Sequence, residues 1–172
     1  MQYGIEKAQM IDSDRVFLDL QNPRVPEPFV SENAAIEWLC DNEDVLILAK
    51  DIQQNGPNPL ELLAVMGKGS NSYVALEGNR RVCAIMLLND PEKAPQKYRE
   101  RFRALSEGWT KVEKLFCAKF PNRASAKIWL DRIHGGRDEG RGRSNWSTEV
   151  RARRTGSSSS KSNVLPLALL DY

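Results

Sequence analysis

Five consecutive residues, Glu77-Gly78-Asn79-Arg80-Arg81, most narrow what this chain can fold into. They follow an alternating, strand-like run, Ser72-Tyr73-Val74-Ala75-Leu76, and open an apolar run, Val82-Cys83-Ala84-Ile85-Met86-Leu87-Leu88, that reads as a helix. The pattern predicts a strand, a glycine turn and a helix with two arginines in its first turn. That turn carries the positive end of the helix dipole and unpaired N–H groups, so cations are disfavoured there. Two explanations fit. Either an anion sits among the arginines, a phosphate being the usual candidate at a strand–Gly–helix turn, or one arginine pairs with Glu77 or another carboxylate while its neighbour covers the helix end.

The flanking segments predict an α/β (α+β) chain, a small mixed sheet with surrounding helices. Val16 to Leu20 reads as a short strand, broken by Asn22-Pro23-Arg24 and kept extended by Pro26 and Pro28. Ser31 is placed to cap a helix through about Cys40, with Ala35, Ile36 and Leu39 on its inner face. A second helix, about Glu43 to Gln54, carries the stripe Val45, Leu48, Ala49 and Ile52 and stops at Asn55-Gly56-Pro57, with Gly56 as a left-handed C-cap. Leu60 to Met66 reads as a strand, and 67–71 as a hairpin-like turn. The helix from Asn79 ends near Asn89-Asp90-Pro91. A basic amphipathic helix covers Pro95 to Leu105, a strand Val112 to Phe120, and a helix capped by Asn122 runs to about Ile133. Residues 1–134 are thus expected to form one domain. A Gly/Arg-rich arm and short helix (135–154), a Ser-rich linker (155–163) and an apolar tail (164–172) follow. The tail is too short to fold alone; it either begins a further element or packs against this chain or a partner.

Charge divides the chain. Residues 1–90 hold 7 Lys+Arg against 14 Asp+Glu, and residues 91–172 hold 18 against 9. This polarity fits a polyanion partner for the second half, or a dipolar surface that pairs subunits. The stretch 132–154 has seven arginines. Of these, Arg137, Arg141, Arg143, Arg151, Arg153 and Arg154 are either a solvated arm or contacts to nucleic-acid phosphates, which position a protein without reading bases. Trp146 either anchors the short helix or stacks on a base.

Other chemistries have less support. No apolar run approaches the roughly 18–20 residues needed to span a bilayer, and the acid- and amide-bearing start does not resemble a signal peptide, so a cytoplasmic location is expected. Cys40, Cys83 and Cys117 are odd in number, widely spaced and set in apolar segments, which predicts buried reduced thiols rather than disulfides or a zinc site. The single histidine, His134, suits a helix C-terminus and cannot build a His-rich metal centre.

The order of these elements resembles the N-terminal domain of the ParB/sulfiredoxin-like superfamily over about residues 14–134. Its ParB hallmark, Gly-Glu-Arg-Arg-x-Arg-Ala, stands here as Gly78-Asn79-Arg80-Arg81-Val82-Cys83-Ala84. Asn22-Pro23-Arg24 looks like the family's first box, and Asn55-Gly56 to Pro59 like the loop after its second helix. The resemblance implies a domain of bacterial or phage type that binds a nucleoside triphosphate, CTP or ATP, usually with Mg2+, with slow hydrolysis, action near DNA and homodimer formation among its expectations. Carried over, Glu77, Gly78, Asn79, Arg80 and Arg81 would form the phosphate turn. Asn22 would join the phosphate-binding set, Arg24 would either close the opposite side or make a structural ion pair, and Gly56 would line the base or ribose edge. Asn79 replaces the hallmark glutamate and Cys83 its second-turn arginine. Asp131-Arg132 is the nearest counterpart of the Glu-Asn metal box, which makes Asp131 the metal candidate and puts hydrolysis in question before binding. Sulfiredoxins place a reactive cysteine where Asn79 stands, so sulfinic acid reduction is not expected. The competing readings are a metal-dependent DNA nuclease on the same fold and a non-enzymatic protein-interaction module.

Overall fold

A computed structural model describes residues 7–25, 27–136 and 141–142. Arg137, Arg143, Trp146, Arg151, Arg153 and Arg154, with the linker and tail, lie outside them. The chain divides into two compact units, residues 1–127 and 128–172.

The first unit is a mixed α/β layer structure. Five strands, β1 (Lys7–Asp12), β2 (Val16–Phe17), β3 (Leu63–Gly69), β4 (Ser72–Glu77) and β5 (Lys114–Phe120), form one sheet in the order β1-β5-β3-β4-β2. β1 and β5, like β3 and β4, pair antiparallel; β3 with β5 and β2 with β4 pair parallel. Four helices complete its main core: α1 (Glu32–Asn42), α2 (Val45–Asn55), α3 (Asn79–Asn89) and α4 (Gln96–Ser106). A fifth, α5 (Arg123–His134), begins in this unit. Strand residues of one pleat parity, Leu63, Val65, Ala75, Leu115 and Cys117, join Ile36, Leu39, Ala49, Ile52 and Phe102 of the helices in a single cluster. α3 is the central helix: Val82, Cys83, Ala84, Ile85, Leu87 and Leu88 are all buried, so it is apolar almost all round. Its two ends therefore carry its polar contacts.

The local signals act as the residue chemistry predicts. Ser31 Oγ accepts the Ala34 N–H at 3.2 Å and Asn122 Oδ1 accepts that of Ser125 at 2.9 Å. Asn89 clamps the other end of α3: its Nδ2 donates to the Val112 carbonyl at 2.9 Å, and its Oδ1 accepts from Trp109 Nε1 and from the Val112 N–H.

Several boundaries differ from the sequence expectation, and at three of them a side chain takes a backbone group. The strand expected over 16–20 ends at Phe17, because the Leu18 N–H donates to Glu32 Oε1 and the Asp19 N–H to Asn79 Oδ1. The strand expected from Leu60 starts at Leu63. Asn58 accepts the N–H groups of Leu60 and Glu61 in a turn, leaving Leu60 and Leu62 exposed. That strand then runs on to Gly69, and the hairpin turn is Ser70-Asn71, both with positive φ, as a two-residue loop between antiparallel strands requires. The strand expected from Val112 starts at Lys114, since Asn89 holds the Val112 backbone. Glu43 caps α1 and α2 begins at Val45, with Asp44 at φ 51° between them. Gly56 has the expected positive φ of 78°, but its ψ of 171° lies outside the left-handed helical region. β1 was not expected at all.

In the second unit the rest of α5 places the Arg132 guanidinium 5.0 Å from the Trp129 ring centre, and the Gly135 N–H closes the helix onto the Asp131 carbonyl at 2.6 Å. Among the described residues no helix is long and apolar enough to cross a membrane.

All three cysteines are buried and free. Cys40 of α1 and Cys83 of α3 hydrogen-bond through their sulfurs. That bond lowers the Cys40 thiol and, with burial, raises that of Cys83. Burial pushes Cys117 up to about 12. The thiolate is the form that alkylates, so iodoacetamide should label Cys40 first in the folded protein. Peptide mapping by mass spectrometry checks the order, and first labelling at Cys117 would contradict it.

Candidate functional site

The arginine turn forms where β4 meets α3. Gly78 is the N-cap of α3 at φ 88°, ψ 20°, and as a glycine it supplies no side-chain cap. A Cβ at this position would overlap Leu63 Cδ2 and lie 3.1 Å from Arg81 Nη2. Only glycine therefore fits between β3 and the Arg81 guanidinium. The uncapped first turn leaves α3 N–H groups for a solvent-side acceptor.

The side chains leave this turn in three directions. Asn79 turns inward: its Oδ1 accepts the Asp19 N–H at 2.8 Å, and its Nδ2 donates to the Ala75 carbonyl at 2.8 Å. Arg80 is exposed, and its Nη1 donates to the Glu43 carbonyl at 3.3 Å. Arg81 is half-buried. It donates to the Glu61 carbonyl at 2.8 Å and lies 3.4 Å from the Glu61 carboxylate and 3.6 Å from that of Glu77. The loop of residues 22–25 supplies a third cation. Asn22 is buried and its Oδ1 accepts the Arg24 N–H at 3.1 Å, which fixes the turn that aims Arg24. Arg24 Nη1 then reaches Glu43 Oε2 at 2.6 Å.

Thus Arg24 and Arg80, 56 positions apart in sequence, converge on one residue of the α1–α2 junction, and Arg81 sits between two carboxylates. Both explanations of the paired arginines keep a footing. Arg81 has acid partners of its own chain, whereas among the described residues Arg80 makes a long hydrogen bond to a carbonyl and faces solvent. Gly56 ends α2, its N–H donating to the Ile52 carbonyl at 2.8 Å.

Sequence reasoning missed four participants. Glu43 and Glu61 hold the arginines. Asp19 and Arg123 form a bidentate pair at 2.7 Å for both bonds, with the Asp19 side chain 2% exposed and that of Arg123 35%. Asp19 also accepts the Gln21 N–H and holds the Arg123 guanidinium above its ordinary basicity. A signal for this pair was present. Asp19 interrupts the apolar run Val16-Phe17-Leu18-Asp19-Leu20, and Arg123 is a cation in the first turn of α5, the same anomaly that marks Arg80 and Arg81.

Asp131 and Arg141 lie in the second unit. Among the described residues no group of three or more His, Cys, Asp or Glu side chains is arranged to hold a metal ion.

No family model matches the chain, and no curated protein does. Among solved structures it is similar to the C-terminally truncated chromosome-partitioning protein ParB from Caulobacter crescentus, complexed with CTP-gamma-S. That match has 13% identity and a TM-score of 0.47, and covers 87% of this chain and 61% of that one. The chain thus spans about three fifths of the length of that structure.

Proposed function

We propose that this chain is a nucleoside triphosphate-binding domain, with the triphosphate held at the turn of residues 77–81. The observation that carries the reading is the exposed Arg80 beside the uncapped first turn of α3, with Arg24 brought to the same place from another segment. Main-chain donors at a helix start and guanidinium forks are together the usual way a protein grips phosphate oxygens. The resemblance of Gly78-Asn79-Arg80-Arg81 to the ParB hallmark supports the same assignment.

Gly78 lets the backbone approach the phosphates. Arg80 contributes charge-assisted hydrogen bonds directly. Arg81 can join only by loosening its hold on Glu61 and Glu77. Mg2+ would arrive with the nucleotide and be held chiefly by its phosphates, as is common for this ion. The domain would act as a switch, its phosphate contacts fixing the start of α3 while neighbouring elements rearrange to dock DNA, a partner or a second copy. The basic second half would supply the DNA contact, and slow hydrolysis the reset.

The alternative reading is a protein-interaction module in which the arginines serve a partner's acids. The containment of Arg81 between Glu61 and Glu77 favours it. Calorimetric titration of CTP and of ATP, with and without Mg2+, separates the two. Arg80→Ala should weaken nucleotide binding about tenfold or more, since losing a hydrogen bond to a charged group costs about 1.5–3 kcal/mol. Equal affinity in wild type and variant, or no nucleotide binding by either, would overturn the assignment.

A further inference from the structure

We propose that Glu43 is a built-in competitor for the phosphate site, holding Arg24 in the free protein and yielding it to the incoming polyanion. The inference rests on the nucleotide reading above and adds a residue that the hallmark motif does not contain.

The geometry is specific. Glu43 is the C-cap of α1, its own N–H spent on the Leu39 carbonyl, and Asp44 at φ 51° turns the chain at once into α2. This abrupt junction presents both acceptors of Glu43 to the arginines, the carboxylate to Arg24 at 2.6 Å and the carbonyl to Arg80 at 3.3 Å. Two guanidiniums from separate segments would repel one another here. The Glu43 carboxylate supplies the negative charge that lets them gather before any ligand arrives.

The exposures show which partner is free to leave. The Arg24 side chain is 51% exposed and that of Glu43 only 18%. Arg24 can therefore swing toward solvent while Glu43 stays seated. An ion pair at this exposure contributes little to folding stability, so giving it up costs the fold little. A triphosphate offers more charge and more acceptor oxygens than one carboxylate, and it displaces Glu43 from Arg24 once present in sufficient concentration. The carboxylate thereby sets a threshold, discriminating against monoanions that cannot outcompete it. Its release also frees one of the contacts that tie loop 22–25 to the α1–α2 junction, linking occupancy to that bend.

The test is a calorimetric titration of tripolyphosphate, then of the nucleotides, into wild type, Glu43→Gln, Arg24→Ala, the Glu43→Gln/Arg24→Ala double variant and Arg80→Ala. Glutamine keeps the shape and leaves the carbonyl bonded to Arg80. Glu43→Gln should bind tripolyphosphate about five- to tenfold tighter than wild type, as expected when a charge-assisted competitor is removed. The same change on an Arg24→Ala background should give little or no gain, the non-additivity expected when the effect of Glu43 runs through its contact with Arg24. Thermal melts without ligand confirm that each variant is folded, and Glu43→Ala serves if the glutamine variant is not. Unchanged or weaker binding by Glu43→Gln, or a gain that persists without Arg24, would overturn the competitor role. If Arg80→Ala has lost affinity in that case, the nucleotide site stands and Glu43 alone is refuted. If Arg80→Ala binds like wild type, or nothing binds, both proposals fall.

Discussion

Arg123→Ala should lower the unfolding free energy by about 2–4 kcal/mol, because it strands a buried carboxylate. The Asp19 side chain is 2% exposed and receives both of its short ionic bonds from Arg123. Removing the guanidinium leaves that charge, among the described residues, with the Gln21 N–H alone. The expected loss stays below the largest values for buried pairs because Arg123 is itself about one-third exposed, so water can enter where it stood. Urea denaturation of wild type and variant measures the difference. Asp19→Asn should cost less, since the orphaned guanidinium reaches solvent. If Arg123→Ala costs under about 1 kcal/mol, in the range of a surface pair, the bridge is not the internal tie described here.

Gly78→Ala should be comparably damaging, about 2–5 kcal/mol, from two sources that act together. A non-glycine residue in the left-handed region costs about 1–2 kcal/mol, and forcing a methyl into a filled space typically costs a further 1–3 kcal/mol. The new Cβ would meet Leu63, itself buried in the first strand of the hairpin, so it has little room to retreat. It would also press on Arg81 Nη2 and loosen the fork from Glu61. The variant should therefore unfold at lower urea and bind nucleotide more weakly. A Gly78→Ala protein as stable as wild type would show that the turn relaxes freely.

Where a side chain's role was local, the sequence announced it. Ser31 and Asn122 cap the helices that follow them, and the apolar stripes of α1 and α2 face inward, because three- and four-residue spacing decides both. Contacts distant in sequence were the illegible part. β1 reads Lys-Ala-Gln-Met-Ile-Asp, with little alternation and no turn signal; it is a strand because β5, more than 100 positions away, accepts it at the sheet edge. Leu18 and Leu20 have strand-forming composition, yet Glu32 and Asn79 claim the neighbouring N–H groups and end β2 after two residues. In the candidate site, the arginines stood out because cations at a helix start demand an explanation. Of their acid partners Glu77, four positions before Arg81, stood out as well, but Glu43 and Glu61 are ordinary surface residues until the fold brings loop 22–25 and α3 to them.

The amide of Asn79 restricts what can happen at this turn. Its two ends have opposite polarity, and each meets a main-chain group that demands that polarity, an amide hydrogen from Asp19 and a carbonyl oxygen from Ala75. A glutamate, the residue of the ParB hallmark, has two like oxygens. Even if its longer arm reached, one of them would be set against the Ala75 oxygen. The position most favourably placed for an acid or base at the helix start is therefore committed to scaffolding. Beside it stand main-chain N–H groups, the guanidiniums, and the Glu61 and Glu77 carboxylates that flank Arg81. If the turn holds an anion as proposed, Asn79 itself cannot shuttle a proton to it, and any bond breaking must draw its acid or base from another residue.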